Sequence, residues 1–363
     1  MATITGNVTD LSANFIPEVW LDWVYDRITK TNNFFKSGII AQDPILGNQL
    51  LQPGLYVTIP HMNAIDTSLA TQVWNNKNDI TTNGMTSGTE NDVKIYEAQS
   101  FGNSDYDDLV TGAKTLDQIT AQFTDYWGVV DTQRLIQVLN AAFLNADIAT
   151  AKSFNVGKEK VFAATDFVKS MARMGDVNSG KPTQIAVNSG TYNYMVQNNL
   201  IEYTQPSVGA TPIANYNGLT IVQDDQIPLD AKGTTAAYIF GSGAVNYSVA
   251  TPQNGVTTDR DNLKQGGISA ITHKRVVTTH MAGTAADMTV ESDPTKWKDD
   301  LIGGSKALYK PVDDVRNIHV IKYGFTIDPD YVIKGVNSEV AAATASTDST
   351  KTPAVDPTTT SGK

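Results

Sequence analysis

The chain has 363 residues, 40% of them hydrophobic and 18% charged, so it can bury a substantial core and exceeds one minimal domain. Its 27 basic and 38 acidic residues leave a formal net charge of −11, and no basic run could follow a phosphate backbone, which argues against direct nucleic-acid recognition. Cysteine is absent, which excludes disulfides, thiolate metal sites and cysteine nucleophiles and leaves stability to packing or assembly.

The opening "MATITGNVTDLSANF" lacks the basic-then-apolar pattern of a secretion signal. No run approaches the roughly 20 apolar residues of a membrane span, so synthesis in a cytoplasm is expected. Ile16, Val19, Trp20, Trp23, Val24 and Ile28 recur at helical steps, with Pro17 tolerated in the first turn, and predict a short amphipathic helix. Its polar face carries Glu18, Asp22 and Asp26 against Arg27 and Lys30, which favours core packing over a membrane surface. In "NQLLQPGLYVTIP" a Pro53–Gly54 turn precedes alternating Leu55, Val57 and Ile59, a strand expected to end at Pro60. From His61 to Asn103 Asn, Thr, Ser, Gly and Asp dominate around isolated Val73, Trp74, Ile80, Val93 and Ile95. Such a segment has no core of its own. Loops beyond about 12–15 residues are normally functional or disordered, and a third option is a two-stranded excursion that rests on another subunit.

"TLDQITAQFTDYWGVVDTQRLIQVLNAAFLN" carries the strongest helical pattern: Thr115 and Gln118 match a capping box, and Leu116, Ile119, Phe123, Tyr126, Val130, Leu135, Val138, Ala142 and Phe143 form a stripe. Unbroken, it is a rod of about 45 Å at 1.5 Å per residue, with Gly128 as a candidate kink. Next, Thr165 is placed as the cap of "DFVKSMARM", whose Phe167, Val168, Met171 and Met174 share a face before Gly175 stops the helix. "QIAVN" then "SGTYNYMVQNN" reads strand to helix, and "LTIVQ", "AAYIFG", "AVNYSVA", "GGISAITHKRVVTTHM" and "IHVIKYGFTI" read as further strands. The last residues, rich in Ala, Ser, Thr and Pro, read as a disordered tail.

No catalytic, cofactor-binding or metal-ligating residue can be assigned. Of the four histidines, His61, His273, His280 and His319, the middle pair lie seven apart in a predicted strand; the two-residue period sends them to opposite faces, which disfavours a zinc pair. "NSDYDDL", with Asp105, Asp107 and Asp108, lacks the glycine and glutamate of a calcium loop and reads as a turn or the start of a helix. "GSGAV", Gly241 to Val245, fails the dinucleotide and phosphate-loop spacings and reads as a tight strand connection. No Gly-x-Ser-x-Gly elbow is present. Tyr192, Tyr194, Tyr203 and Tyr216 suit packing better than base stacking, for want of a basic groove. Asp224 and Asp225 lie between an apolar run and Pro228 with no His or Glu nearby, and read as a corner rather than an acid–base pair.

In order and spacing, these segments resemble the major capsid proteins of tailed bacteriophages, which share the Hong Kong 97-like coat-protein fold. "IPEVW" with "FFKSGI" looks like the start of such coats, "YVTIP" like the strand into their extended loop, and "YDDLVTGAKTLDQITAQFTDYWGVVDTQRLIQVLNAAF" like the approach to and body of their spine helix. "ATDFVKSMARMGD", "QIAVNSGTYNYM" and "YNGLTIVQDDQIP" are similar to the axial domain, whose strand-Asp-Pro turn matches the corner at Asp224 and Asp225. "GGISAITHKRVVTTHMAG", "DPTKWKDDLI" and "NIHVIKYGF" look like the closing strands. The resemblance covers about residues 14 to 330. It implies an α+β chain: an N-terminal arm with its short helix (1–46), an extended β-hairpin loop (47–104), a peripheral domain with the spine helix (105–160), an axial domain (161–265), closing strands that return to the peripheral domain (266–335) and the tail (336–363).

The implied function is that of a major capsid protein, not an enzyme. It would self-assemble as pentamers and hexamers into an icosahedral shell that encloses phage double-stranded DNA without binding it specifically. It would need no cofactor or membrane, would be made in the host bacterial cytoplasm, and would reside in the virion. The N-terminus shows no long scaffolding segment, so a separate scaffolding protein and a portal are the expected partners. No cleavage or crosslinking motif can be carried over. Two alternatives stay open: the shell protein of a cellular nanocompartment of the same fold and, more remotely, an extracellular β-rich carbohydrate-binding protein.

Overall fold

The computed structural model describes residues 33–63, 65, 69–77, 79–111, 115–156, 161–175, 181–204, 213–263 and 266–332, with backbone alone at 107, 111, 115–118, 120 and 121. The amphipathic helix expected at 16–28 and the tail expected at 336–363 lie outside these residues, as do the capping side chains Thr115 and Gln118.

Two sheets organise the chain. The first is built on one long strand, Ile268–Met281, which pairs antiparallel along one edge with Ile95–Ser104. Its other edge is shared between Val256–Asp261, opposite 268–273, and Val245–Ala250, opposite 276–281. Ile40–Gln42 adds a short parallel strand beside Val245–Tyr247. The second sheet runs, in spatial order, Ser153–Asn155, Val320–Thr326, Thr234–Gly241, Pro182–Val187, Leu219–Gln223, Ile213–Tyr216 and Glu202–Thr204. "GSGAV" is the tight crossing between the sheets, with Gly243 at φ 68°, where a side chain would be strained. Asn217 and Gly218, at φ 49° and 79°, make the two-residue turn that an Asn-Gly pair favours between antiparallel strands.

The helix Thr115–Phe143 is continuous over 29 residues and passes through Gly128 unbroken. Its second half buries Leu135, Val138, Leu139, Ala142 and Phe143 against residues of both sheets, including Tyr238, Phe240, Val245, Tyr247, Val277 and Met281. The first half packs Phe123 and Trp127 with Ile271 and Val256. Alternation along "AAYIFG" explains how one sheet serves two cores: Tyr238 and Phe240 face the long helix, while Ala237 and Ile239 face a second core with Phe162, Phe167, Tyr216, Tyr323 and Phe325.

The predicted strands and helices from 182 onward appear where expected, and four details differ. The strand expected to stop at Pro60 spans Tyr56–Met62, because it pairs only with Ser87–Val93 and a two-stranded ribbon tolerates a residue without an N–H. The coreless stretch read from His61 to Asn103 is shorter, since Ile95–Ser104 pairs over ten residues with the long strand. Its inward positions alternate, but they include Glu97 and Gln99, which conceals the apolar face. Phe101 gives that face away, meeting Phe123 and Tyr126 edge-on at centroid distances of 4.9 and 5.4 Å. Thr165 is not the cap of its helix: Ala164–Met171 starts from Ala163 without a side-chain cap bond. Phe167 is buried, as is Met174 in the 3₁₀ turn Ala172–Met174 that Gly175 ends at φ 76°, but Val168 is exposed, because in a helix it lies about 100° round from Phe167.

Candidate assembly surface

The ribbon of Tyr56–Met62 and Ser87–Val93 leaves the first sheet as a hairpin whose root is tied to the body. Val57 packs with Leu46, Leu50 and Val276. The Gln49 side chain exchanges two hydrogen bonds with the backbone of Thr58, at 2.7 and 2.9 Å, Lys94 Nζ donates to the Gln52 carbonyl at 2.8 Å, and His61 Nε2 lies 3.0 Å from Asp313 Oδ2. Among the described residues beyond Met62, no such tie to the body is seen. Gln72 closes the loop on itself by exchanging two 2.7 Å bonds with the backbone of Thr81. Met62, Ile65, Leu69, Val73, Trp74, Ile80 and Met85 all stand exposed, Trp74 at 88% and Val73 at 70%. Each large apolar side chain left in water forgoes about 1.5–3 kcal/mol of burial, so seven of them on one loop make it a candidate interaction surface.

Beneath the hairpin root, His280 is fully buried between two carboxylates of the ribbon. Nε2 is 2.7 Å from Glu90 Oε2 and Nδ1 is 3.3 Å from Asp92 Oδ2, while Glu90 Oε1 accepts from Gly283 N. Burial opposes a charge here, but the hydrogen bonds and charges of Asp92 and Glu90 outweigh it and lift the imidazole to about 9. His273 lies on the opposite face, against Phe123 and Trp127, and burial, with Arg275 nearby, lowers it to about 4. The odd spacing in an unbroken strand thus separates the two, as the period requires.

A closed ring of four charges joins the long helix to the first sheet. Arg275 spans Glu97 and Asp131, with contacts of 3.0–3.1 Å to Glu97 Oε2 and 2.6–3.1 Å to Asp131, and its guanidinium carbon lies 3.7 Å above the Trp127 ring. Arg134 completes the ring through Asp131, at 2.9 Å, and Glu97. The Tyr247 hydroxyl donates to Asp131 Oδ2 at 2.8 Å, and burial and the Asp131 charge raise that phenol well above its usual range. All four charged residues are buried, and the ring is neutral overall, which is what makes burial tolerable. Sequence reasoning missed this ring. The available signal was parity: Arg275 shares the strand face of Ile271, His273 and Val277, where an unpaired cation could not stay.

The other candidate residues hold the framework. Asp224 Oδ1 accepts from Gln226 N, turning the chain, and Asp225 Oδ1 accepts from Ser189 N at the start of the helix Ser189–Gln197. They form the corner and brace a helix end; burial raises Asp224, reinforced by Asp225. Asp105 opens the helix Asp105–Thr111 and pairs with Arg260, Asp108 lies within that helix, and the side chain of Asp107 lies outside the described ones. Tyr216 is buried, Tyr192 and Tyr203 share a hydrogen bond, and Tyr194 packs edge-on against Tyr331. His319 is lowered by burial and by Lys152, and its carbonyl accepts from Gly241 N. Among the described residues no group of three or more His, Asp or Glu is arranged to hold a metal ion, and no helix is long and apolar enough to cross a membrane.

No family model matches the sequence. The chain is 24% identical over 323 residues, 87% of its length and 97% of the relative's, to a protein described as the major capsid protein of Bacillus phage SPP1. It superposes on the capsid of cyanophage Pam1 with a TM-score of 0.52 at 9% identity, covering 81% of this chain and 92% of that one. For the capsid of Ralstonia phage GP4 the TM-score is 0.51 at 10% identity, with 81% and 91% covered. The sequence likeness thus runs almost the full length of a phage major capsid protein, and the chain has the fold of phage coats, the Hong Kong 97-like fold.

Proposed function

We propose that the chain builds a closed icosahedral shell from pentamers and hexamers, each hairpin lying over an adjacent subunit. The observation that carries this reading is the set of exposed apolar side chains from Met62 to Met85 on a loop whose root is held by its own body while, among the described residues, its tip is not. Heterologous contacts of this kind close into rings when the rotation per subunit allows. In this reading the long helix and first sheet form the peripheral domain, the seven-stranded sheet forms the axial domain at the symmetry axis, and the hairpin is the extended loop; Val245–Ala250 and Val256–Asp261 then belong to the peripheral part rather than to an axial domain of 161–265, and Val320–Thr326 to the axial part rather than to closing strands of 266–335. The role is structural rather than catalytic. A net charge of −11 and the lack of a basic run suit a lining that encloses double-stranded DNA without gripping it. A separate scaffolding protein and a portal complete the particle, which is assembled in a bacterial cytoplasm and released as the virion.

The test removes the tip and spares the strand behind it. Met62 and Ser87 are paired in register, so an Asn-Gly turn can replace residues 63–86 without disturbing Ile95–Ser104. The shortened chain is expected to fold with unchanged thermal stability and to form no closed shells by electron microscopy. Closed shells from it would overturn the proposal.

A further inference from the structure

The cluster at the hairpin root does more than fill space. A neutral imidazole has one N–H, so at any moment one of its nitrogens offers a lone pair. His280 has a carboxylate within hydrogen-bond distance of each nitrogen, and both contacts are attractive only when both nitrogens carry protons. Glu90 and Asp92 are two residues apart on one face of Ser87–Val93, so the cation grips the ribbon at two points. This grip sits at the hinge: Val93 pairs with Tyr56 at the end of the ribbon, and after Lys94 the chain enters Ile95–Ser104 of the body.

We propose that Glu90, His280 and Asp92 form a protonation-dependent latch that fixes the angle at which the hairpin leaves the body, and that loss of one imidazole proton frees the hairpin to swing. His280 is the cation paired with both carboxylates. The other charged or titratable groups around it come from separate elements. The Tyr309 hydroxyl hydrogen-bonds Asp92, Arg134 of the long helix acts on that phenol from further off, His61 is paired with Asp313, and Lys94, whose ammonium pKa is lowered by burial, donates to the Gln52 carbonyl, so the His280→Gln and Glu90→Gln chains separate its titration from that of the imidazole. With the imidazole neutral, one carboxylate faces a lone pair and the strand loses one of its two bonds to His280, leaving Gly283 N on Glu90 and the Tyr309 hydroxyl on Asp92 as the points about which it turns. Seven paired residues extend about 23 Å at 3.3 Å each, so a rotation of roughly 10° at the root moves the far end of the ribbon by about 4 Å. That is enough to carry a side chain out of a packed contact. The latch is a property of the unassembled chain and stands whether or not the shell reading does.

The absence of cysteine makes the test clean. Thr71→Cys on the loop and Ser292→Cys on the body, both exposed, accept a pair of spin labels, and pulsed distance measurements are made on the full chain below its assembly concentration. At pH 6.5 a single narrow distance is expected, broadening or shifting by pH 10. His280→Gln should give the broad distribution at both pH values with unchanged far-UV circular dichroism. Glu90→Gln, which removes one carboxylate with little change of shape, should move the midpoint of release at least tenfold in proton concentration towards acid. A distribution constant from pH 6.5 to 10, or a His280→Gln chain indistinguishable from the parent at pH 6.5, overturns the latch. Should His280→Gln fail to fold, an unmoved midpoint in Glu90→Gln overturns it alone.

Discussion

His273 and His280 share one strand and titrate in opposite senses, because one sits among aromatic rings and the other between carboxylates. His280, near 9 in the fold and about 6.5 unfolded, contributes stability that is complete below pH 6.5 and is lost as pH rises through 9. His273, near 4 in the fold, stays neutral there while the unfolded chain binds a proton, so its contribution is complete above pH 6.5 and is lost as pH falls towards 4. At 1.36 kcal/mol per unit each limb amounts to roughly 3 kcal/mol. Stability by urea unfolding is therefore expected to peak near pH 6.5. His273→Gln should flatten the fall from pH 6.5 to 5, and His280→Gln the fall from pH 6.5 to 9. A slope left intact by its own substitution would show that some other group sets that limb. The spacing of these histidines was legible in the sequence and gave their opposite faces; their neighbours were not, since Glu90, Asp92, Phe123 and Trp127 are more than a hundred residues away along the chain.

At the scale of elements, period and punctuation carried most of the fold: the alternation in "AAYIFG", the Asn-Gly turn and the long helical stripe each correspond to an observed element. Reading failed where tertiary pairing overrode local pattern. Ile95–Ser104 hides its inward face because Glu97 and Gln99 occupy it, and Glu97 is tolerable there only because Arg134 and Arg275 come from a helix and a strand distant in sequence. Within the long helix Asp131 and Arg134 look like solvent-facing charges for the same reason. Gly128 was legible as a weak point and proves to be no break. A Cβ built there meets nothing within 4 Å, while glycine in a helix interior lies about 1 kcal/mol above alanine. Gly128→Ala is accordingly expected to raise unfolding stability by up to about 1 kcal/mol in urea titration. A loss of stability would mean that the helix backbone at this position departs from regular α-geometry.

For the whole molecule, the balance between apolar contact and like charge decides when copies associate. Each chain brings a formal charge of −11, and bringing many together crowds that charge into a shell, whereas the exposed residues of the loop gain from burial at any ionic strength. Screening acts on the first term: the Debye length falls from about 30 Å at 0.01 M salt to about 8 Å at 0.15 M and 3 Å at 1 M. If the apolar loop supplies the attraction, added salt weakens only the repulsion. Shell formation followed by light scattering should then be suppressed near 0.01 M, rise steeply towards 0.15 M and level off above it. Ion pairs between subunits would give the reverse, a yield that falls as salt is added, and would move the source of attraction from the loop to charged residues at the subunit boundary. Two substitutions separate these cases, because Trp74→Ser and Ile80→Ser remove apolar area at side chains 88% and 63% exposed without touching a charge. They should leave the unfolding midpoint of the single chain unchanged and shift the onset of scattering to higher protein concentration at every salt concentration.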